Sequence, residues 1–515
     1  MSPHLEAGVV QELALKEGVC VRPLLHRVTD RETGEHTVVV MPCRSVRESR
    51  CPSCAEAARR LRMQQCSEGW HLDHEPQQAD ESESSDDDDP AENADESVPG
   101  EDEQAARRTR STRRRDDLGE LPLKPAEPRT IGAVFEGKNG RTYRPSMFVT
   151  LTLRSYGRIS PGRGVPTDPT RYDYRTAALD ALHFTKLLDR WIQNLRRCAG
   201  FKVQYFGAIE AQRRLAAHFH VALRGAIPRS TLRAVTRATY AQVWWPPMDD
   251  PVYTDKVPVW DGVDYTDPDT QVPLATWDEA MRRLDEDPAA RAAHTLAFGR
   301  QVDIKGLLGG TPDADRTVRY LAKYLTKSVA DTYTQPQVFD ASYEAHIDRL
   351  HDEVRYLPCS PACANWLRFG VQPKDPGPGL CPGQCSSPAH DRENLGIGGR
   401  RIQVSRGWSG KTLSDHRADR AAVVRQVLEA AGYNPHEADR MSAETLAADG
   451  SPKYHWQTVH LPPEKASEAI IQSVFERRRW RNEYDRAKTA AMSNAPPVEG
   501  NSAIDFITEG ARGHE

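Results

Sequence analysis

Residues 201–223 read FKVQYFGAIEAQRRLAAHFHVAL. Two strand-like runs, Phe201 to Glu210 and His218 to Leu223, flank a short polar connection, Ala211 to Ala217. That pattern predicts an antiparallel hairpin. Side chains alternate across a strand, so His218 and His220 share one face and Phe219 points to the other. Two imidazoles on one face make a clip for a divalent cation. Glu210 closes the preceding strand and, in a tight hairpin, stands beside them as an oxygen ligand. Two histidines and one carboxylate leave positions open for water and a phosphate oxygen, which suits Mg2+ or Mn2+.

Outward from the hairpin, Met147 to Leu153 (MFVTLTL) is a β-branched, strand-like run. Thr176 to Cys198 has helical spacing, with Leu179, Leu182, Leu187, Leu188, Trp191, Ile192 and Leu195 on one face. Pro228 to Val243 returns to helix, 246–275 is a Pro- and Asp-rich loop, and Phe298 to Ile304 is a further strand. A helix is predicted over Asp313 to Val329. The order βαββαβα fits a small α+β domain of ferredoxin or RRM type, an antiparallel sheet covered by helices on one face.

The last helix carries a second chemical signal. Its apolar stripe is Val318, Leu321, Ala322, Leu325 and Val329. Tyr320 and Tyr324, four apart, share a face away from that stripe, with Lys323 and Lys327 beside them. A phenol, with its pKa near 10, needs help to attack phosphate. A metal on the scissile phosphate and nearby ammonium groups provide it.

Charge and cysteines set the wider frame. The formal net charge is −5, yet residues 80–103 hold thirteen acidic and no basic side chains, so the remaining chain is basic. A basic body with an acidic insert suits a nucleic-acid binder. With no long apolar run and no signal-like start, the chain reads as cytoplasmic, with no membrane partner. Nine of the ten cysteines fall into two groups flanking residues 140–330, which favours metal over disulfides. Cys43, Cys51 and Cys54 are three ligands of a Zn2+ site whose fourth is Cys20, Cys66 or a histidine such as His71. Cys359, Cys363, Cys381 and Cys385 form the second site, with His390 as a spare. Both read as structural.

FVTLTLR (148–154), HFHVALR (218–224) and YLAKYLTK (320–327) together resemble the three motifs of HUH endonucleases. The histidine motif precedes the tyrosine motif, the order of replication initiators; conjugative relaxases have the tyrosine first. More closely, CPSCA (51–55), HFHVALRG (218–225), RYLAKYLTK (319–327) and GIGGRRIQVSRGWSGKTLSDHRADR (396–420) resemble the actinobacterial plasmid initiators of the RepSA type. The resemblance implies metal ligation by His218 and His220, nucleophilic attack by Tyr324 and a second attack by Tyr320. It favours Cys20, in CVRP, as the fourth N-terminal zinc ligand.

The organisation that follows is an N-terminal zinc module over 1–75 and a disordered acidic and basic linker over 76–139. An HUH endonuclease domain spans 140–335, and a zinc-binding, basic DNA-contact region spans 336–420. A helical tail covers 421–499, and 500–515 is disordered. Arg400, Arg401, Arg406, Trp408 and Lys411 are candidates to grip DNA by charge and stacking. Gly396 to Lys411 lacks a nucleotide P-loop, so unwinding requires a host helicase and replication machinery. The function expected is rolling-circle initiation by nicking DNA. The competing readings are a single-strand transposase or relaxase, and a non-enzymatic zinc-containing DNA-binding regulator.

Overall fold

The computed structural model describes residues 7–72, 75, 119–136, 142–308, 311–322, 340–398, 401–430, 447, 451–459 and 463–494. The acidic tract, the arginine run at 107–115, Lys323, Tyr324, Lys327 and residues 500–515 lie outside the described residues. The chain divides into two compact units, one of Met1–Ala58 with Ser414–Glu515 and one of Arg59–Leu413.

The second unit is mixed α/β. In chain order its main elements are β1 (Pro145–Leu153), α1 (Tyr174–Leu182), α2 (Phe184–Ala199), β2 (Tyr205–Ala211), β3 (Ala217–Arg224), α3 (Arg229–Ala238), β4 (Tyr240–Val243), α4 (Trp277–Glu286), β5 (His294–Leu308), α5 (Pro312–Ala322), α6 (Ala341–Tyr356) and β6 (Ile402–Val404). The strands form one sheet in the order β6-β2-β3-β1-β5-β4, antiparallel at every pairing. The predicted hairpin is β2–β3, closed by a turn in which Leu215 takes a positive φ of 63°.

Alternation divides the sheet into two faces. Val149, Leu151, Leu153, Ile209, Phe219, Val221 and Leu223 are all buried and pack against Leu187, Leu188, Trp191 and Leu195 of α2 and Leu232 and Val235 of α3. Each such side chain is worth roughly 1.5–3 kcal/mol on burial, so the register is pinned. A slip of one residue would send both histidines into the core and Phe219 out of it.

The opposite face is covered too, which corrects the expectation of helices on one face only. Phe206, Ala208, Ala222 and Leu307 pack there with Ala314, Val318 and Leu321 of α5 and with Cys66, Trp70 and Trp408. On β1, Phe148 packs into this layer, edge-on to Tyr320 of α5.

Several local expectations change. The single helix over 176–198 is two helices, broken where His183 leaves helical geometry (φ −109°, ψ 11°). The stretch Pro228 to Val243 is helix only to Ala238. Thr236 and Thr239 bond back to Leu232 O and Val235 O, and Thr239 is extended, releasing β4 to pair with β5. The pairing of β1 with β5 shifts between Phe298 and Val302, a bulge opposite Thr152. A Cβ on Gly299 would lie 2.9 Å from Leu153 O, and Thr152 Oγ1 donates to Gln301 O at 3.0 Å, so this bulge is built into the strand pair.

In the first unit, strands Leu24–Asp30 and His36–Met41 form a hairpin that Tyr454–Val459 extends to three antiparallel strands. Helix Ala7–Lys16 packs against Pro463–Asn494 through Val10, Ala14, Ile470 and Val474. Glu17 accepts from Arg478 Nε at 2.9 Å and Arg481 Nη1 at 3.2 Å. The tail expected to be helical therefore also contributes a strand. Among the described residues no helix is long and apolar enough to cross a membrane.

Candidate metal centre

The register brings the three expected ligands together. Glu210 lies opposite His218 across β2–β3, and His218 and His220 lie opposite Thr152 and Thr150 across β3–β1. Glu210, His218 and His220 are all buried. His218 Nε2 is 2.7 Å from Glu210 Oε1 and 2.6 Å from His220 Nε2, and His220 Nε2 also contacts Glu210 Oε1. Two imidazole nitrogens that close cannot both carry a proton toward each other. Glu210 Oε2 is buried with no hydrogen-bond partner among the described residues. Converging lone pairs on a buried carboxylate and two imidazoles are the donor set a divalent cation satisfies.

Protonation suits that role. Burial pushes the Glu210 carboxyl up, but the hydrogen bonds from His218 and His220 outweigh it and hold it below its ordinary range. Burial, opposed by Glu210, leaves the His218 imidazole below its ordinary range. An ionised carboxylate and a neutral imidazole are the forms that bind metal.

The surroundings fix His220 more firmly than His218. Thr150 Oγ1 lies 2.9 Å from His220 Nδ1, and the Phe148 ring stacks on the imidazole at 5.7 Å and 8°. His218 Nδ1 is buried without a partner among the described residues. From α5, Tyr320 reaches over this site: its hydroxyl is 3.2 Å from His220 Nε2, and its ring stands edge-on to Phe148 and His220. Val318 and Leu321 are buried while Tyr320 is 39% exposed, so the tyrosine sits off the apolar stripe, as its spacing predicts, with its tip at the cluster.

The cysteines form two quartets. Donor atoms of Cys20, Cys43, Cys51 and Cys54 lie within 4.8 Å of one another. Cys43 and Cys54 sulfurs are 3.7 Å apart and Cys51 and Cys20 sulfurs 3.8 Å. A tetrahedral ion with Zn–S near 2.3 Å has S···S edges of about 3.8 Å, so the set fits Zn2+. The bond from the Cys54 thiol pulls Cys20 down to about 5, and burial lifts Cys43 to about 11.

In the second quartet the structure departs from the sequence. It joins Cys359, Cys363 and Cys385 to His390, and Cys381 is outside the set. Cys359 and Cys385 sulfurs are 4.0 Å apart, and Cys363 Sγ is 3.5 Å from His390 Nε2. The reason lies in the turn. Gly383 takes a φ of 78° and donates to Asn365 Oδ1, and the Cys381 thiol turns to Pro382 O at 3.7 Å. His390 Nδ1 donates to Val354 O at 2.7 Å, which aims Nε2 at the thiols. Burial opposes protonation of His390, but the sulfurs of Cys359 and Cys385 lift it to about 10.

Trp408 does not stack on a substrate: it is fully buried, its Nε1 donates to Cys66 O at 3.2 Å, and the Arg224 guanidinium lies 5.2 Å from its ring. Arg406 and Lys411 remain exposed. Trp245 is buried in the main core.

The profile of the family described as "Replication initiator protein, pSAM2" matches residues 6–475. A protein of Streptomyces ambofaciens named "Replication initiator protein" is 28% identical over 225 residues, which cover 37% of this chain and 44% of that protein. The match thus spans less than half of that relative's length. No solved structure matches the chain.

Proposed function

The chain belongs to the RepSA family of replication initiator proteins, and from that premise we propose that it starts rolling-circle replication as a metal-dependent DNA strand transferase of the HUH type. The observation that carries this reading is the Tyr320 hydroxyl 3.2 Å from His220 Nε2, at the Glu210–His218–His220 cluster. The order β1, helices, β2, β3, α3, with β1 between β3 and β5 in the sheet, supports the ferredoxin/RRM-like architecture of that class. Mg2+ or Mn2+ held by Glu210, His218 and His220 supplies Lewis-acid polarisation of the scissile phosphate.

Tyr320 approaches the phosphate from the α5 side. Its oxygen bonds to phosphorus, the bond to the 3′ oxygen breaks, the phenolic proton is released and the departing oxygen is protonated to a free 3′-OH. The 5′-phosphotyrosine keeps the energy of the broken bond, so rejoining needs no nucleoside triphosphate. Tyr324, with Lys323 and Lys327 beside it in sequence, serves the second attack that closes a round. The resemblance implies the opposite order; Tyr320 is put first here because its hydroxyl lies 3.2 Å from His220 Nε2, and Tyr324 lies outside the described residues. The two zinc quartets stabilise the fold, and unwinding falls to a host helicase in the cytoplasm.

The test is a labelled single-stranded origin oligonucleotide incubated with the full chain and Mn2+, then run on a denaturing gel. A covalent adduct is expected, reduced strongly in Tyr320→Phe and absent in Tyr320→Phe/Tyr324→Phe. An adduct in the double variant refutes tyrosine chemistry, and specific binding without any adduct favours the regulator reading.

A further inference from the structure

The motif FVTLTLR at 148–154 has no role in the chemistry above, yet its even positions face the cluster. Thr150 is directly opposite His220 in the β1–β3 register, and its Oγ1 is 2.9 Å from His220 Nδ1 in a buried contact. Phe148, two residues earlier on the same face, stacks on the imidazole at 5.7 Å and 8°. The ring is thus held in its plane by one residue and in its orientation by the other.

We propose that Thr150, assisted by Phe148, is a positioning residue that presents His220 Nε2 to a divalent cation; this rests on reading Glu210, His218 and His220 as a metal centre. An imidazole can turn over about its Cβ–Cγ bond, which puts Cε1 where Nε2 stood and leaves no donor for the cation. Thr150 opposes that turn. With Nδ1–H donating to Oγ1, Nε2 keeps its lone pair for the metal. A turned ring would set a carbon against a buried hydroxyl, and Phe148 blocks the intermediate tilts. His218 has no such partner: its Nδ1 is buried and unbonded among the described residues. The two ligands are therefore unequal. His220 is fixed from outside the cluster, and His218 adjusts to it.

Thr152, on the same strand and face, provides the internal control. Its hydroxyl donates to Gln301 O at 3.0 Å, in the bulge of β5. It braces the sheet two residues from Thr150 and bonds no ligand among the described residues.

The experiment is calorimetric titration of Mn2+ into the zinc-replete full-length protein. Thr150→Val keeps the β-branched shape and removes the hydroxyl; it is expected to weaken Mn2+ binding by roughly 10- to 100-fold, the usual effect of losing an outer hydrogen bond to a ligand. Thr150→Ser is expected to stay within about threefold of wild type, by the same reasoning. Thr152→Val is expected to leave Mn2+ affinity unchanged. Thr150→Ala serves as the second hydroxyl-free variant if the valine protein does not fold. Wild-type affinity in Thr150→Val, or an equal loss in Thr152→Val, overturns the proposal. His220→Ala separates the two layers. If it abolishes Mn2+ binding while Thr150→Val does not, the positioning role alone fails; if it too binds as wild type, the metal centre fails and the positioning role with it.

Discussion

Replacing His390 with alanine is expected to cost the protein one of two bound zinc ions, whereas replacing Cys381 with serine is expected to cost none. The geometry sets the expectation. With Zn–S near 2.3 Å and Zn–N near 2.0–2.1 Å, a tetrahedral ion has S···S edges of about 3.8 Å and S···N edges of about 3.6 Å. The observed separations are 4.0 Å for Cys359–Cys385 and 3.5 Å for Cys363–His390, and the Cys381 sulfur faces Pro382 O instead. A structural zinc contributes on the order of 10–16 kcal/mol of apparent binding free energy. Losing the ion forfeits at least a quarter of that, about 3 kcal/mol, already a large part of the roughly 5–15 kcal/mol that holds a domain together. Because Cys363 is buried beside Trp366 and Val354 in the main core, the loss is felt by the whole second unit. A fall of at least 6 °C in the thermal midpoint is expected for His390→Ala, taking roughly 2 °C per kcal/mol for a unit of this size. Cys381→Ser should stay within about 0.5 kcal/mol of wild type. Colorimetric zinc release gives the stoichiometry and calorimetry the midpoint. Two zinc ions retained in His390→Ala, with one lost in Cys381→Ser, would refute the reasoning.

Other consequences are equally specific. A Cβ at Gly207 would lie 2.2 Å from Phe219 Cζ and 3.0 Å from His220 O, so Gly207→Ala must displace the strand that carries both histidines. A destabilisation of about 1–3 kcal/mol with weakened Mn2+ binding is expected, read by denaturant titration and calorimetry. Trp408→Ala should cost about 3–5 kcal/mol in denaturant unfolding, because Trp408 is fully buried; a pure loss of DNA affinity at wild-type stability would contradict that placement. Burial pushes His346 down to about 4, among the rings of Tyr172, Tyr174 and Tyr343 and with Tyr174 OH 2.9 Å from its Nδ1. The unfolded chain therefore binds a proton near pH 6.5 that the folded chain refuses. Stability is full above that pH and falls by up to about 3 kcal/mol as pH drops toward 4. His346→Gln should flatten the stability profile between those limits in urea titrations; an unchanged slope would exclude His346 as its source.

The face that carries Glu210, His218 and His220 was readable because a strand has a period of two. His218 and His220 had to share a face, and the short connection put Glu210 opposite His218. Tyr320 was readable because a helix has its own period and the residue falls off the apolar stripe. The first quartet followed from tight spacing, C-P-S-C above all, although the choice of Cys20 over Cys66 and His71 came from the family resemblance. The second did not. Nothing in a Pro- and Gly-rich stretch says where a turn at Gly383 aims a thiol, and the bond from His390 to Val354 O depends on α6, which was not anticipated. Helix α4 was missed although Thr276 and Glu279 form a complete capping box, a signal present in the sequence. The pairing of Leu24–Asp30 with Tyr454–Val459 had no local signature, since the partners lie at opposite ends of the chain. Trp408 beside arginines and glycines suggested a nucleic-acid contact, and its burial depends on neighbours from elsewhere in the chain.

That end-to-end pairing also orders events at the ribosome. The strand Leu24–Asp30 leaves early, and its partner Tyr454–Val459 follows about 420 residues later, some 20–85 s at the usual pace of synthesis. For all that time one edge of the nascent hairpin has no mate. All four thiols of the first quartet, by contrast, have emerged by Cys54 and can take zinc at once. The metal can therefore hold the hairpin while the sheet of the second unit is synthesised and folds, and the last helix and strand dock onto a site already formed.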